Sequence, residues 1–281
     1  MVHTRKQAAL LRGLLGNDGY DVEVEFAMRY GEPAIGKVLA GLRDRSLRRL
    51  LVLPLYPQYA GSTTATVNDE IFRELAGWRD QPELRMVRGF CDDPGYIDAL
   101  ALSVERHWAR NGRAERLLMS FHGVPRKTLD AGDPYHCECH KTARLLAQRL
   151  GLPDAAWQLV FQSRFGRAKW LEPYTSATLA RLAKDGVKTV DVICPGFVSD
   201  CLETLEEIAI EARESFVAAG GEALRYIPCL NESDAFVAAL GGLVKRHLSG
   251  WPVGGGLKRR RDEEQAAQET AMRARALGAK R

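Results

Sequence analysis

Apolar residues fall into two recurring patterns along the chain. Short runs such as Leu51-Val-Leu53 and Leu117-Leu-Met119 end in polar loops, and each is followed by a longer stretch with apolar positions at helical spacing. The short runs predict strands over 22–28, 49–55, 84–89, 115–121, 157–162, 188–194 and 223–228. The longer ones predict helices over 1–16, 34–45, 63–77, 94–110, 137–150, 171–185, 201–218 and 233–248. Strand-then-helix alternation argues for an α/β protein with parallel sheets, whose ligands sit at the carboxyl ends of the strands.

The pattern repeats. Phe26-Ala-Met-Arg-Tyr-Gly31 before one helix is similar to Phe161-Gln-Ser-Arg-Phe-Gly166 before another. Likewise Leu51-Val-Leu-Pro-Leu-Tyr56 parallels Asp191-Val-Ile-Cys-Pro-Gly196, and Arg85-Met-Val-Arg-Gly-Phe90 parallels Arg225-Tyr-Ile-Pro-Cys-Leu230. Two homologous units are therefore expected over 1–112 and 113–250, facing each other across a cleft, with a basic, disordered tail over 251–281. The second unit opens with a strand, Arg116–Gly123, that has no counterpart in the first. The repeat thus predicts a first unit short of one central strand and its connection.

Charge changes this picture little. The 281 residues carry a formal net charge of +4, but residues 257–281 hold eight Lys/Arg against four Asp/Glu, leaving 32 of each sign in the body. A neutral body gives no field for nucleic acid. Lys258-Arg259-Arg260-Arg261 is a candidate for peripheral contact with an anionic membrane surface, although a solvated tail after Gly254-Gly-Gly256 is the favoured reading. No apolar run reaches the ~20 residues that span a bilayer. The N-terminus does not read as a signal peptide, which points to the cytoplasm. The six cysteines lack the spacing of a secreted disulfide framework, so reduced thiols are expected.

Three segments carry chemistry. Ser120-Phe-His-Gly-Val-Pro125 places His122 directly after a strand. In Pro195-Gly-Phe-Val-Ser-Asp-Cys-Leu-Glu-Thr-Leu-Glu-Glu-Ile208, Ser199 or Asp200 is the expected helix cap, and Leu202, Leu205 and Ile208 the apolar side. Glu203, Glu207 and Glu211 then form a column at i, i+4 and i+8, with Glu206 off it. A solvated acidic face is the plain reading of that column; a cation relieving its repulsion is the functional one. Phe161-Gln-Ser-Arg-Phe-Gly166 with Trp170 offers Arg164 and aromatic rings to a flat, anionic ligand.

In order and spacing these segments, with Leu53-Pro-Leu-Tyr-Pro-Gln-Tyr-Ala-Gly-Ser-Thr-Thr64 and Gly132-Asp-Pro-Tyr-His-Cys-Glu-Cys139, resemble the ferrochelatase family over roughly 3–245. The resemblance implies the chelatase fold of two facing Rossmann-like (flavodoxin-like) domains. It also implies Fe²⁺ as a substrate inserted into protoporphyrin IX, with release of two protons, in a protein expected to be monomeric. It assigns His122 and Glu203 to catalysis and metal binding, Glu207 and Glu211 to an outer metal path, and Arg29 and Tyr30 to the substrate, to which the residues themselves add Arg164. Iron insertion requires the ring N–H protons to leave, a task suited to imidazole, and a donor set of carboxylate and imidazole holds Fe²⁺ without a thiolate's grip.

Departures from the family pattern keep rivals in play. The initial strand and the apolar lip after it are not recognisable, so a non-catalytic porphyrin carrier, a cobalt chelatase and a coproporphyrin chelatase are the alternatives. Some relatives hold a [2Fe–2S] cluster through four cysteines; here no cysteine follows Cys229 and Gly61 stands where those relatives have another, so no cluster is expected. Cys137 and Cys139, flanked by His136 and His140, are weighed as a soft-metal site against plain loop residues.

Overall fold

A computed structural model describes residues 1–45 and 47–280; the side chains of 257–260 and 263–264, including most of the basic run, lie outside the described ones. In chain order the elements are α1 (Val2–Asn17), α2 (Ile35–Asp44), β1 (Arg49–Val52), α3 (Thr64–Ala76), β2 (Glu83–Met86), α4 (Pro94–Asn111), β3 (Arg116–His122), α5 (Arg126–Asp130) and α6 (Tyr135–Arg149). There follow β4 (Trp157–Gln162), α7 (Thr175–Lys184), β5 (Thr189–Ile193), α8 (Leu202–Leu205), a π-helical turn (Glu207–Ala212), α9 (Arg213–Ala218), β6 (Ala223–Ile227), α10 (Asp234–His247) and α11 (Gly256–Ala276).

All strands run parallel. The second half forms a four-stranded sheet ordered β4-β3-β5-β6, whose β3 is buried at five consecutive positions. The first half forms only the pair β1-β2. The expected strand over 22–28 is instead an irregular segment with one bridge, Met28 to Ala34. The second half shows why. There β3 lies between β4 and β5, and among the described residues the first half has no strand at the matching position to pair with 22–28. Backbone groups without a neighbouring ladder do not make a strand. The repeat is otherwise visible in the loops, where Met28 N–H donates to the Pro33 carbonyl and Phe161 N–H to the Pro173 carbonyl, both at 2.8 Å.

One core joins the two halves: Leu11 and Leu15 of α1, Ile97 and Val104 of α4, Leu117 and Phe121 of β3, and Phe236 and Leu240 of α10 are buried together. α1 lies close over α10, and a Cβ at Gly241 would stand 2.6 Å from Leu14 Cδ2. The opposite faces carry separate cores, around Leu118, Val190 and Phe216 in one half and Leu39, Val67 and Ile71 in the other. The crossing between halves is pinned by buried Asp191, which accepts from Arg225 Nε at 2.7 Å, Trp108 Nε1 at 2.8 Å and Ala114 N at 3.2 Å. Where the sequence predicted a disordered tail, Gly256–Ala276 is helical. It is rich in Ala, Gln, Glu and Arg, good helix formers, and none of its described side chains is buried, so propensity rather than packing favours it.

Candidate functional site

The site lies at the carboxyl end of the four-stranded sheet. His122 is the last residue of β3, in register with Gln162 at the end of β4. Its Nδ1 stands 2.6 Å from the Gly123 carbonyl oxygen. A carbonyl only accepts, so the proton belongs on Nδ1 and the Nε2 lone pair remains open. The ring packs beside Trp170 and Phe197, at centroid distances of 6.4 and 6.3 Å. Tyr135, at the start of α6, donates its hydroxyl to the His122 carbonyl at 2.9 Å, and burial holds that phenol well above its ordinary pKa, so it stays a donor. Trp170 is itself buried, and its indole Nε1 has no hydrogen-bond partner among the described residues.

Gly123 cannot carry a side chain here: a Cβ would lie 2.8 Å from the Gln162 carbonyl oxygen and 3.0 Å from Trp170 Cε3. Its N–H donates to that same oxygen at 2.8 Å, which closes the turn that presents His122.

Glu203 sits half-buried in α8, one strand away across the sheet. Its backbone carbonyl accepts from Gln162 Nε2 at 2.6 Å. The cap of α8 is Cys201, not Ser199 or Asp200. Burial, together with the neighbouring Glu203 carboxylate, pushes the Cys201 thiol up to about 11. Asp200 turns away to accept from Tyr226 Oη at 2.6 Å, Asn231 Nδ2 at 2.7 Å and Cys229 N at 3.0 Å. Burial opposes its charge, but these bonds prevail and hold its carboxyl below the usual value. Asp200 thus ties the start of α8 to the loop after β6.

The expected column of three glutamates is broken. Over Glu207–Ala212 the helix is π-wound, and Glu211 N–H bonds to the Glu206 carbonyl at 2.9 Å, five residues back. Glu206 and Glu211 therefore share a face, lining an open groove with Cys201, Leu202, Leu205 and Ile210. Glu207 turns inward and accepts from Ser163 N at 2.6 Å and Ser163 Oγ at 2.5 Å. Leu202 and Leu205, expected on the buried side, are exposed, while Thr204, Ile208 and Ala212 are buried. The extra residue in the π turn rotates the apolar face.

Arg164 stacks its guanidinium over Tyr174 at 4.9 Å, and Phe165 beside it is exposed. In the other half Arg29 donates from Nε to the Thr66 carbonyl at 2.8 Å and lies 4.7 Å over the ring of exposed Tyr30. The repeat thus presents an arginine and an exposed aromatic from a loop of each half. Loop 57–61 of the first half is stapled to the second near α6: Gln58 Nε2 donates to Thr142 Oγ1 at 2.9 Å, Tyr59 N to Glu138 at 2.7 Å and Gly61 N to Asp133 at 2.7 Å.

Cys139 is fully buried and desolvation holds its thiol protonated, whereas Cys137 is exposed, so the two sulfurs point apart. His136 and His140 stand together, one turn apart on α6, with ring centroids at 4.4 Å. Among the described residues no three His, Cys, Asp or Glu side chains gather into a metal-holding group. Trp170, offered by the sequence as an aromatic ring for a flat ligand, stands beside His122, whereas Gln162, Ser163 and Phe197 carry no individual signal beyond lying within the quoted motifs. Their partners come from distant segments.

With this geometry in view, comparisons with known proteins are specific. A model of the family described as Ferrochelatase matches residues 1–248. A Ferrochelatase of Methylibium petroleiphilum is 56% identical over 278 residues, 99% of this chain and 75% of the relative. One of Aromatoleum aromaticum is 54% identical over 100% of this chain and 76% of its own length. Among solved structures, SirB from Bacillus subtilis with Fe³⁺ superposes with a TM-score of 0.65 at 16% identity, over 88% of this chain and 90% of that one. CbiX, a terminal enzyme of sirohaem biosynthesis, gives 0.59 at 16% identity, over 88% and 91%. These structures share the chelatase fold.

Proposed function

The chain belongs to the ferrochelatase family, and from that premise we propose that His122 and Glu203 are the residues that pass ferrous iron into a porphyrin. Its reaction is that of a metal chelatase of haem synthesis: Fe²⁺ and the free-base porphyrin give haem and two protons. In the proposed roles, the Nε2 lone pair of His122 accepts a proton from a pyrrole N–H, and the carboxylate of Glu203 holds the iron until the ring nitrogens replace it. The observation that carries this reading is the hydrogen bond from His122 Nδ1 to the Gly123 carbonyl, which leaves the Nε2 lone pair of a histidine at the strand end to act as a base. Trp170 and Phe197 beside the imidazole suit a flat apolar ring. Arg164, and Arg29 with Tyr30 on the other half, are proposed to contact the substrate.

Finer features belong to the same reading. Protoporphyrin is the proposed ring, and the bound metal is substrate, with no iron–sulfur centre. Cys91, Cys139, Cys194 and Cys229 are buried on four separate elements or loops, and burial raises all four thiols. No helix among the described residues is long and apolar enough to cross a membrane; work as a monomer in the cytoplasm is the proposed setting. Glu206 and Glu211, rather than Glu207, are the better placed pair for an outer metal path, because they share the groove beside Cys201.

The test is anaerobic metallation by the purified chain, followed by porphyrin fluorescence, with protoporphyrin and coproporphyrin run in parallel. His122→Ala is expected to lower the rate at least about 100-fold, in line with loss of a positioned base, with the thermal transition kept. A variant retaining more than a tenth of the parent rate overturns the assignment. Faster metallation of coproporphyrin would reassign the substrate alone.

A further inference from the structure

Gln162 is a buried polar side chain with every polar atom engaged. Its Oε1 accepts from Ser120 Oγ of β3 at 2.7 Å and takes the Cys194 thiol at 3.6 Å. Its Nε2 donates to the Glu203 carbonyl at 2.6 Å. Its own carbonyl accepts Gly123 N–H, within the turn that orients His122. A single residue therefore touches the backbone on both sides of the proposed reaction centre. The adjoining residue extends the clasp. Ser163 adopts a left-handed φ of 63°, uncommon for a residue with a side chain, and both its N–H and hydroxyl are bound by Glu207, four residues after Glu203.

We propose that Gln162 is a positioning residue that sets the Glu203 carboxylate against the His122 imidazole, with Ser163 and Glu207 locking the same spacing from the helix side. The inference rests on the reading of His122 and Glu203 given above. The first turn of α8 has only four residues before the π turn, so its intrinsic stability does not fix it; a buried amide bonded to the Glu203 carbonyl within it does. The bonds join β3, β4, α8 and Cys194 just after β5, so an error in any one register would be felt at the proposed centre. The amide is also suited to the task chemically. It needs one acceptor and one donor at once, pointing to opposite sides, which neither Glu nor Leu at this position would supply.

A double-mutant cycle tests it. Gln162→Met, of similar length and apolar, is expected to lower kcat/KM for ferrous iron about tenfold to a hundredfold, the range for displacement of a reacting group by about 1 Å. Porphyrin binding, read by fluorescence quenching, should change less than about threefold, because the residue does not face the ring. In a Glu203→Gln background the same change should add less than about threefold, since Gln162 acts through Glu203. An undiminished further loss in that background, or parental activity in the single variant, overturns the proposal. If Gln162→Met shows no folded transition, Glu207→Gln replaces it in the cycle, with the same expected and overturning results. Parental activity in Glu203→Gln alone would instead remove the reading of the pair, and the proposal with it. A silent Gln162→Met beside an inactive Glu203→Gln would remove the proposal alone.

Discussion

At His122 the chemistry depends on a neighbour with no side chain. Gly123 supplies the carbonyl that fixes the tautomer and the N–H that holds Gln162, and the space for a Cβ is already filled by Gln162 and Trp170. Gly123→Ala must therefore push the turn away from β4 or tilt the indole. Overpacking of this kind costs about 1–3 kcal/mol. Metallation is expected to fall at least about tenfold, because the same shift moves the imidazole off its register with Gln162. A melting curve and a metallation rate on the one variant are enough, and two unchanged values would show that the contact is slack. His122 and Glu203 could be picked out from sequence because each sits in a motif with its own chemistry. Gln162 could not: its meaning comes from Ser120, Cys194 and Glu203, residues at least 32 positions away in other segments of the fold.

Elements were legible where periodicity decides and misread where one residue shifts the phase. The six described strands fall within two residues of the predicted starts, because a short apolar run bounded by turn residues leaves little choice. The acidic helix was read with a 3.6-residue period, which placed Glu207 in the column and Leu202 and Leu205 in the core. A π turn is invisible to that period, since its cause is tertiary: Glu207 is drawn to Ser163 while Ile208 and Phe216 stay in the core. A second element-scale contact sets a pH dependence. Glu232, in the loop before α10, accepts from His3 and Lys6 of α1, both at 2.6 Å, and hydrogen bonds from Lys6 and then His3 push its carboxyl down to about 2 from an ordinary 4.5. A depressed carboxyl stabilises the folded form fully above the ordinary value and loses that contribution as pH falls from 4.5 toward 2. The docking of α1 should therefore loosen across this window, seen as faster amide exchange in 3–15 after correction for intrinsic rates. Glu232→Gln should remove the step. An identical profile in the variant would assign the loosening to other carboxylates.

Over the whole molecule, the two sheets are unequally supported. β3 is paired on both sides and buried along most of its length, with β5 likewise flanked by β3 and β6. β1 has β2 as its only ladder partner among the described residues, and both are exposed at their first position and half-buried after it. A two-stranded sheet has little independent stability, and local opening follows burial and ladder count. The shared core cuts across this contrast, since α4 of the first half packs on α10 and its Tyr96 hydroxyl donates to the Pro195 carbonyl of the second. Amide exchange should therefore divide the molecule by packing layer and not by sequence half. Backbone amides of 49–52 and 83–86 should exchange faster than those of 117–121 and 190–193, whereas α4 should be protected like the second sheet. Equal protection of both sheets would mean that the helices α2 and α3, with the core around Leu39, Val67 and Ile71, carry the first sheet on their own. Exchange in α4 as fast as in β1 would mean that the contact between α4 and α10 does not couple the halves. In that case the bonds from loop 57–61 to Asp133 and to Glu138 and Thr142 of α6 would be the main tie between them.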